Sequence, residues 1–189
     1  MSGKQDKLTA ADLFEWVEMI VLSACVVMLL FTFIVRPARV DGASMEETLH
    51  NGEMLLISDM FYAPKNGDVI VFQKVNSAHP APIVKRVIAT EGETIDVDFD
   101  TWQVTITDAN GETYVLDESD YRKLATDARV TTDLDFPITV GEGQLFVMGD
   151  NRNHSWDSRS SGIGLVDEQE IIGKVLFRFF PFNKISLIK

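Results

Sequence analysis

Hydrophobic and polar positions divide the chain into one long uncharged run and a series of short apolar runs. The long run covers residues 19–35 and contains no charged side chain. As a helix it would measure about 26 Å, slightly less than the ~30 Å hydrocarbon core of a bilayer. Adding residues 14–18 reaches the full thickness and puts Trp16 at an interface. We therefore predict a transmembrane anchor over residues 16–35, preceded by a tail of residues 1–15.

A cleavable signal peptide and a buried core helix are the two competing interpretations of this run. Four acids precede the run and no Ala-x-Ala motif follows it, which disfavours a signal peptide. Its length and apolarity disfavour a buried core helix. Two lysines before the run balance two arginines directly after it. The positive-inside rule therefore assigns no orientation to the anchor.

Short apolar runs separated by Gly, Pro and Asn turns follow the anchor, and helical periodicity is scarce there. This pattern predicts a mostly β body in the form of an antiparallel barrel or sandwich. The Asp-Ala-Asn-Gly-Glu turn at residues 108–112 joins two runs into a predicted hairpin. The predicted strands cover residues 54–58, 68–73, 83–89, 94–97, 101–107, 113–116, 144–148 and 174–181.

The net charge of −12 is concentrated in one segment, because residues 91–142 hold 14 acidic against 3 basic residues. We interpret residues 94–140 as a small acidic, β-rich insert, or cap subdomain. It would separate two parts of one catalytic β domain, residues 36–93 and 141–189. The acidity argues against nucleic acid as a partner, since phosphate binding needs a basic face.

The sequence offers little material for a metal site or a disulfide. Cys25 is the single cysteine, which excludes an intrachain disulfide, and three histidines alone make a zinc site a poor fit. Residues 96–100 begin like a calcium loop, with aspartates at alternate positions. Thr101 and Thr107, however, replace the glycine and the final acid that such a loop requires. We expect no metal and no cofactor.

Ser44 is the first candidate for chemistry because it follows Gly42 and Ala43, where small residues leave the backbone little covered. A serine acts as a nucleophile only if one neighbour takes its proton and another stabilises an oxyanion. Without both, Ser44 would be a turn residue. Ser44 and Glu47 also form a Ser-x-x-Glu pattern, which is typical of a capping box at the start of a short helix.

Lys85 is the candidate base for Ser44. On a strand it shares a face with Ile83 and Val87, so its amine has apolar neighbours. Poor hydration lowers the pKa of a lysine and leaves part of its amine neutral, and so able to accept a proton. The alternative is an edge-strand lysine that guards against aggregation.

A third segment, residues 149–159, reads Gly-Asp-Asn-Arg-Asn-His-Ser-Trp-Asp-Ser-Arg and is dense in hydrogen-bonding side chains. Asp157 and Arg159 could form an ion pair there. Ser155 could hold the amine of Lys85 in place. The alternative is an ordinary polar surface loop.

Two further residues of this loop carry expectations of their own. Asp150 could brace the loop by accepting hydrogen bonds from backbone amides. His154 is close to Asp157 in sequence, which hints at a Ser–His–Asp triad as an alternative to a Ser/Lys pair.

Taken together, three segments resemble the boxes of the bacterial type I signal peptidases, a membrane-anchored family of Ser/Lys serine proteases. Ser-Met-Glu-Glu-Thr-Leu at residues 44–49 resembles the nucleophile box, and residues 85–93 resemble the lysine box. Residues 149–159 match the last box at every fixed position. Residues 67–72 and 173–182 are similar to further stretches of the family. The resemblance therefore covers most of the chain after the anchor.

The resemblance implies Ser44 as the nucleophile and Lys85 as the general base. The backbone amide of Ser44 would hold the oxyanion. Gly42 lies where some members carry a side-chain hydroxyl donor, so any such donor here must come from elsewhere. Ser155 would orient Lys85, and Asp157 with Arg159 would hold the loop. The supporting residues that the resemblance implies are Ser155, Asp157, Arg159, Gly42 and Asp150.

The resemblance also implies a signal-peptidase-like β body and an activity. The activity is removal of N-terminal signal peptides from exported preproteins after small residues (Ala-x-Ala), through an acyl-enzyme. The implied partners are signal peptides and a phospholipid membrane. The implied location is the bacterial cell membrane, with one pass and with the catalytic domain on the extracytoplasmic side.

Two positions depart from the family pattern. Glu47 stands where the family usually has proline, and Ala-Thr-Glu at residues 89–91 replaces a common Gly-Leu-Pro.

Two other functions are alternatives to a signal peptidase. A soluble self-cleaving repressor-type protease is disfavoured by the anchor and by the lack of a DNA-binding domain. An anchored assembly or binding module without activity is disfavoured because it would be expected to lack Lys85.

Overall fold

The computed structural model describes residues 9–74, 81–123 and 132–188. Internal contacts divide the chain into two compact units, Met1–Arg36 and Pro37–Lys189. The described part of the first unit is mainly a helix, and that of the second is mostly β. Most of the predicted tail, residues 1–8, lies outside the described residues.

The helix α1 covers Ala10–Phe33. It begins before the predicted residue 16 because Thr9 and Asp12 form a capping box, in which each side chain accepts from the other residue's backbone amide. It ends before Pro37, whose ring would clash with the carbonyl four residues earlier in a continued helix. Within α1, the segment Ala10–Thr32 is long and apolar enough to cross a membrane.

Twelve strands and three short 3-10 turns follow among the described residues. In chain order the strands are β1 (Arg36–Arg39), β2 (Met54–Ser58), β3 (Val69–Phe72), β4 (Ile83–Ala89), β5 (Thr94–Asp98), β6 (Gln103–Thr107), β7 (Thr113–Val115), β8 (Ile138–Thr139), β9 (Gln144–Met148), β10 (Val166–Asp167), β11 (Ile171–Phe180) and β12 (Ser186–Leu187). The 3-10 turns are Arg152–His154, Glu168–Glu170 and Phe182–Lys184.

The main sheet has eight strands in the order β1-β2-β11-β3-β4-β9-β10, with β12 paired to β11. The pairings from β2 to β10 along this order are antiparallel, and the sheet curls into a half-barrel. The mostly β fold with an antiparallel barrel-like body, an N-terminal apolar helix and a small β-rich insert is therefore confirmed. Strands β1, β8, β10 and β12 are not among the predicted strands. Strand β1 (Arg-Pro-Ala-Arg) has no apolar run, and the other three have two residues each, too few for periodicity.

Strand β4 lies in the interior of the main sheet, between β3 and β9. Lys85 on β4 pairs with Ile70 on β3, and Arg86 pairs with Val69 on one side and Met148 on the other. The interpretation of Lys85 as an edge-strand lysine is therefore wrong. Because strand side chains alternate, Lys85 and Arg86 face opposite sides of the sheet, and both are buried.

The second sheet has the order β7-β6-β5-β8 and lies within residues 94–140. The predicted hairpin is confirmed, since β6 and β7 pair around a turn in which the Asp108 carboxylate accepts from the amides of Asn110 and Glu112. The assignment of this segment as a cap subdomain stays a prediction.

A shared apolar cluster joins the two sheets. Strands β4 and β9 of the main sheet and strands β5 and β6 of the insert all contribute buried side chains to it. Its buried members are Ile88, Ala89, Ile95, Val97, Val104, Ile106, Val140, Phe146 and Met148. The insert is therefore packed against the strand that carries Lys85.

Phe146 tests this junction. It is 0% exposed, so Phe146→Ala should lower the free energy of unfolding by about 3–5 kcal/mol by leaving a cavity. Urea unfolding in detergent micelles, followed by tryptophan fluorescence, measures the change. Phe182→Ala is the matched control, because Phe182 is 76% exposed and the change should stay within about 0.5 kcal/mol. Equal losses in both variants would contradict the packing described here.

Candidate active site

Ser44 lies in a series of turns between β1 and β2. Gly42, two residues earlier, has a φ of +94°, a conformation that suits glycine. Asn151 fixes the turn from the polar loop: its backbone amide donates to the carbonyl of Ser44 at 3.0 Å, and its side chain donates to the carbonyl of Ala43 at 3.0 Å. The loop therefore holds the backbone on which Ser44 stands.

The Lys85 amine meets the Ser44 hydroxyl. The Nζ of Lys85 lies 2.7 Å from the Oγ of Ser44 and donates a second hydrogen bond to the carbonyl of Val84 at 3.0 Å. Lys85 is only 3% exposed. Residues that are 41 positions apart in sequence are thus in hydrogen-bond contact in the interior of the protein.

Burial lowers the pKa of Lys85 to about 8, because the charged ammonium is poorly solvated there. Asp157 raises this pKa and Arg159 lowers it, while Asp150 raises it further. The acids and the arginine oppose each other, so burial dominates. Close to neutral pH an appreciable fraction of Lys85 is therefore a neutral amine, able to accept a proton from the hydroxyl that it contacts.

Asp157 and Arg159 form the predicted ion pair, and both are buried. The Nε of Arg159 lies 2.8 Å from Oδ1 and its Nη2 lies 2.8 Å from Oδ2 of Asp157. Burial raises the pKa of Asp157, but the hydrogen bonds and charge of Arg159 outweigh burial and keep it below the usual range. Asp157 also accepts from the amide of Gly149 at 2.9 Å.

Ser155 donates its hydroxyl proton to Asp157, at 2.6 Å. That proton is thus committed to the carboxylate. Orientation of Lys85 by Ser155 stays a prediction, and it requires the Ser155 oxygen to accept from the amine. The Ser44 hydroxyl is in contact with the Lys85 amine, which favours the Ser/Lys pair over a triad through His154.

Asp150 acts differently from the expectation. Among the described residues, its carboxylate binds no backbone amide. It binds the guanidinium of Arg86, with both contacts at 2.8 Å, and accepts from the hydroxyl of Thr48 at 2.5 Å. The physical reason is the charge of Arg86, which lies buried on the face of β4 opposite Lys85 and needs an anion. Asp150 thereby fixes the loop to the strand that carries Lys85.

Glu47 does not form the predicted capping box, because residues 44–48 form turns and no helix begins there. Its side chain is 67% exposed and lies 2.8 Å from the Nζ of Lys123 in the insert. The hydrogen bond from Lys123, together with its charge, lowers the pKa of Glu47. The departure from proline therefore places a carboxylate in an ion pair with Lys123 of the insert.

A cleft of about 360 Å³ opens at Ser44 and Lys85. Its walls come from the chain before Ser44, from the start of β4 and from the polar loop. Apart from Ser44 and Lys85, they include Val40, Gly42, Ala81, Ile83, His154 and Trp156. Among the described residues, His, Cys, Asp and Glu side chains form no group of three that could hold a metal ion.

Sequence reasoning missed several contributors to the site. Asn151 and Trp156 lie within the polar loop, whose match to the last box could have indicated them. Arg86 follows Lys85 directly, but strand alternation places it on the opposite face, so nothing in the sequence linked it to the site. Glu118 and Lys123 belong to the insert, and no sequence signal linked that segment to the site.

Titration of Lys85 tests the electrostatics of this site directly. NMR of the chain labelled with ¹³C at lysine Cε, with the Lys85 signal assigned by its loss in Lys85→Arg, should show half-protonation near pH 8. A midpoint near the ordinary lysine value of about 10.4 would contradict the burial that the structure gives this amine.

The chain is similar to proteins of known family. The family profile described as "Signal peptidase, peptidase S26" matches residues 13–180. A signal peptidase I of Bacillus licheniformis is 38% identical over 92% of this chain and 92% of its own length. Signal peptidase I T of Bacillus subtilis (strain 168) is 36% identical over 93% and 89%. A crystal structure of a signal peptidase I from Enterococcus faecalis V583 is 29% identical and covers 60% of this chain and 97% of its own, with a TM-score of 0.44. From the family profile and the Bacillus relatives, we conclude that the chain belongs to the signal peptidase family, peptidase S26.

Proposed function

We propose that this peptidase removes N-terminal signal peptides from exported preproteins, with Ser44 as nucleophile and Lys85 as general base. The observation that carries the proposal is the 2.7 Å contact between the Ser44 hydroxyl and a buried amine. The pKa of about 8 adds support, because a base near neutral pKa both accepts and returns protons efficiently. Membership of the signal peptidase family supplies the substrate class.

The reaction runs in two halves. The neutral amine of Lys85 takes the hydroxyl proton while the Oγ of Ser44 bonds to the scissile carbonyl carbon, and the carbonyl oxygen becomes an oxyanion. The oxyanion is held by the backbone amide of Ser44. When the C–N bond breaks, the Lys85 ammonium gives its proton to the departing amine. The amine of Lys85 then takes a proton from a water, whose oxygen bonds to the ester carbonyl carbon. As the C–O bond to Ser44 breaks, the Lys85 ammonium returns the proton to Oγ, and the signal peptide leaves with a free carboxyl terminus.

The substrate lies in the cleft as an extended segment that adds a strand beside the chain before Ser44. The lining of the cleft supports this placement, since the apolar residues Val40 and Ile83 line it together with Ser44. Trp156 of the polar loop lines the same cleft. Shallow apolar pockets of this kind accept small side chains, which gives the Ala-x-Ala preference.

The helix α1 anchors the protein in the bacterial cell membrane as a single pass, with the catalytic body on the extracytoplasmic side. The apolar segment Ala10–Thr32 supports the anchor, and family membership supports the orientation. The partners are then signal peptides and the phospholipid bilayer. The acidic composition of residues 91–142 is consistent with a protein that does not bind nucleic acid.

Removal of either dyad member tests the proposal. Ser44→Ala and Lys85→Ala should each lower kcat for a preprotein in detergent micelles by more than about 10³-fold, because they act as one unit. In the wild type, kcat/KM should rise with pH through a midpoint near 8, as Lys85 loses its proton. The exposed residues Ser119 and Lys65 give matched controls, and their alanine variants should keep full activity. Cleavage that persists in Ser44→Ala or Lys85→Ala would refute the dyad.

Trp156 tests the origin of the small-residue preference. Trp156→Ala removes part of a cleft wall. Preproteins with leucine in place of a small residue before the cleavage site should therefore be cleaved with a higher kcat/KM. The ratio of their kcat/KM to that of the alanine substrate should rise about tenfold or more. Tyr114→Ala, which removes an exposed aromatic of the insert, should leave the ratio unchanged. An unaltered ratio in Trp156→Ala would mean that this wall does not set the preference.

A further inference from the structure

Glu118 is a buried acid in an acidic insert. It is 3% exposed, whereas its neighbours Asp117 and Asp120 are exposed, as expected for a solvated acidic segment. Burying a carboxylate is unfavourable unless it is paired and hydrogen-bonded. Its place in the interior therefore calls for an explanation that solubility does not give.

The partner of Glu118 is Arg152 of the polar loop, which is 0% exposed. Both guanidinium Nη atoms bind the Glu118 carboxylate, with Nη1 at 2.8 Å from Oε2. The Nε of Arg152 donates to the carbonyl of Gly149 at 3.0 Å. Arg122 lies 3.4 Å from the same carboxylate, but nearer the surface. Glu118 thus supplies the close carboxylate to a fully buried arginine.

The Arg152–Glu118 pair is connected to the proposed dyad through two short paths. On one path, the backbone carbonyl of Arg152 accepts from Arg159 at 2.9 Å, and Arg159 holds Asp157. On the other path, Arg152 holds Gly149, and the α-carbon of Gly149 is packed so closely that an added Cβ would clash with the backbone oxygen of Ser44. A shift of Arg152 would therefore reach both the loop and the nucleophile turn.

The backbone of the insert is tied to the loop at the same place. Lys123 donates its amide to the carbonyl of Asp150 at 2.8 Å, and its carbonyl accepts from the amide of Arg152 at 3.0 Å. The ring of Tyr121 lies 4.1 Å from the guanidinium of Arg86. Residues 118–123 thus form one wall against the loop, and the Glu118 side chain gives that wall its buried charge.

We propose that Glu118 is a positioning residue of this peptidase: by neutralising Arg152 in the interior, it holds the polar loop against Ser44 and keeps Lys85 buried. The inference rests on the proposed Ser44–Lys85 dyad. It assigns the insert a part in the reaction, through a carboxylate that never touches the substrate. Breaking a buried pair on one side leaves an uncompensated charge, so the loop would relax to let water reach Arg152.

The test uses Glu118→Gln in the full chain, in detergent micelles, with a preprotein substrate. Glutamine keeps the shape of the side chain but removes its charge. We expect kcat to fall by about 10- to 100-fold with KM within about twofold, as for a small displacement of reacting groups. The matched control is Glu112→Gln, which removes an exposed acid of the same insert and should retain wild-type kcat.

The pH profile separates positioning from mere loss of folded protein. Burial is the main cause that lowers the pKa of Lys85, while the facing groups Asp157, Arg159 and Asp150 partly offset one another. If the loop loosens, water reaches the amine and its pKa rises. The midpoint of the kcat/KM profile in Glu118→Gln should then move above 8. A smaller folded fraction, measured by circular dichroism, would scale the profile without moving its midpoint.

Glu118→Asp is the second variant, and it keeps the test decisive if the glutamine variant folds poorly. Aspartate retains the charge with a shorter reach, so its kcat should lie between wild type and Glu118→Gln, with a smaller shift of the midpoint. Wild-type kcat and midpoint in Glu118→Gln, or losses that follow the folded fraction alone, would overturn the inference. Ser44→Ala and Lys85→Ala are assayed alongside. Activity in those variants would refute the dyad itself. If they are inactive while Glu118→Gln behaves like the wild type, only the role of Glu118 is refuted.

Discussion

The burial of the Lys85 amine is the constraint to which the rest of the body conforms. The amine lies on a central strand, in contact with Ser44, where an ammonium is poorly solvated and its pKa is lowered to about 8. A nearby free carboxylate would stabilise the ammonium and cancel this effect. Asp157 is near enough to raise the pKa of Lys85. Arg159, however, is hydrogen-bonded to the Asp157 carboxylate, and its positive charge lowers the pKa of Lys85. The loop thus supplies an acid that is already paired.

Buried arginine–carboxylate pairs hold the segments around this amine. Such pairs stabilise a fold little on balance, because desolvation offsets much of their attraction, but breaking one from a single side is costly. They therefore act on geometry more than on net stability. Each pair joins two different parts of the site or fixes one loop on itself: Arg86 with Asp150, Arg152 with Glu118, and Arg159 with Asp157.

The sequence was sufficient for the main strands and for the contact of Ser44 with Lys85, because periodicity located the strands and family boxes located the residues. It could not supply the partners of the loop. Asp150 was expected to accept hydrogen bonds from backbone amides. Its contact with Arg86 could not be predicted, because only the folded loop brings the two residues together. Glu118 lies 34 residues before Arg152, and its burial depends on how the insert packs. The early start of α1 depends on a cap at Thr9, which hydrophobicity does not reveal.

Covalent labelling of the serine measures the central claim most directly. The wild-type chain is treated with an active-site-directed serine acylating reagent across pH, and the modified residue is mapped by mass spectrometry. The account predicts one adduct, on Ser44, which forms faster as pH rises through about 8 and fails to form in Lys85→Ala. An adduct on another serine, or equal labelling of Ser44 in Lys85→Ala, would contradict activation of Ser44 by the buried amine.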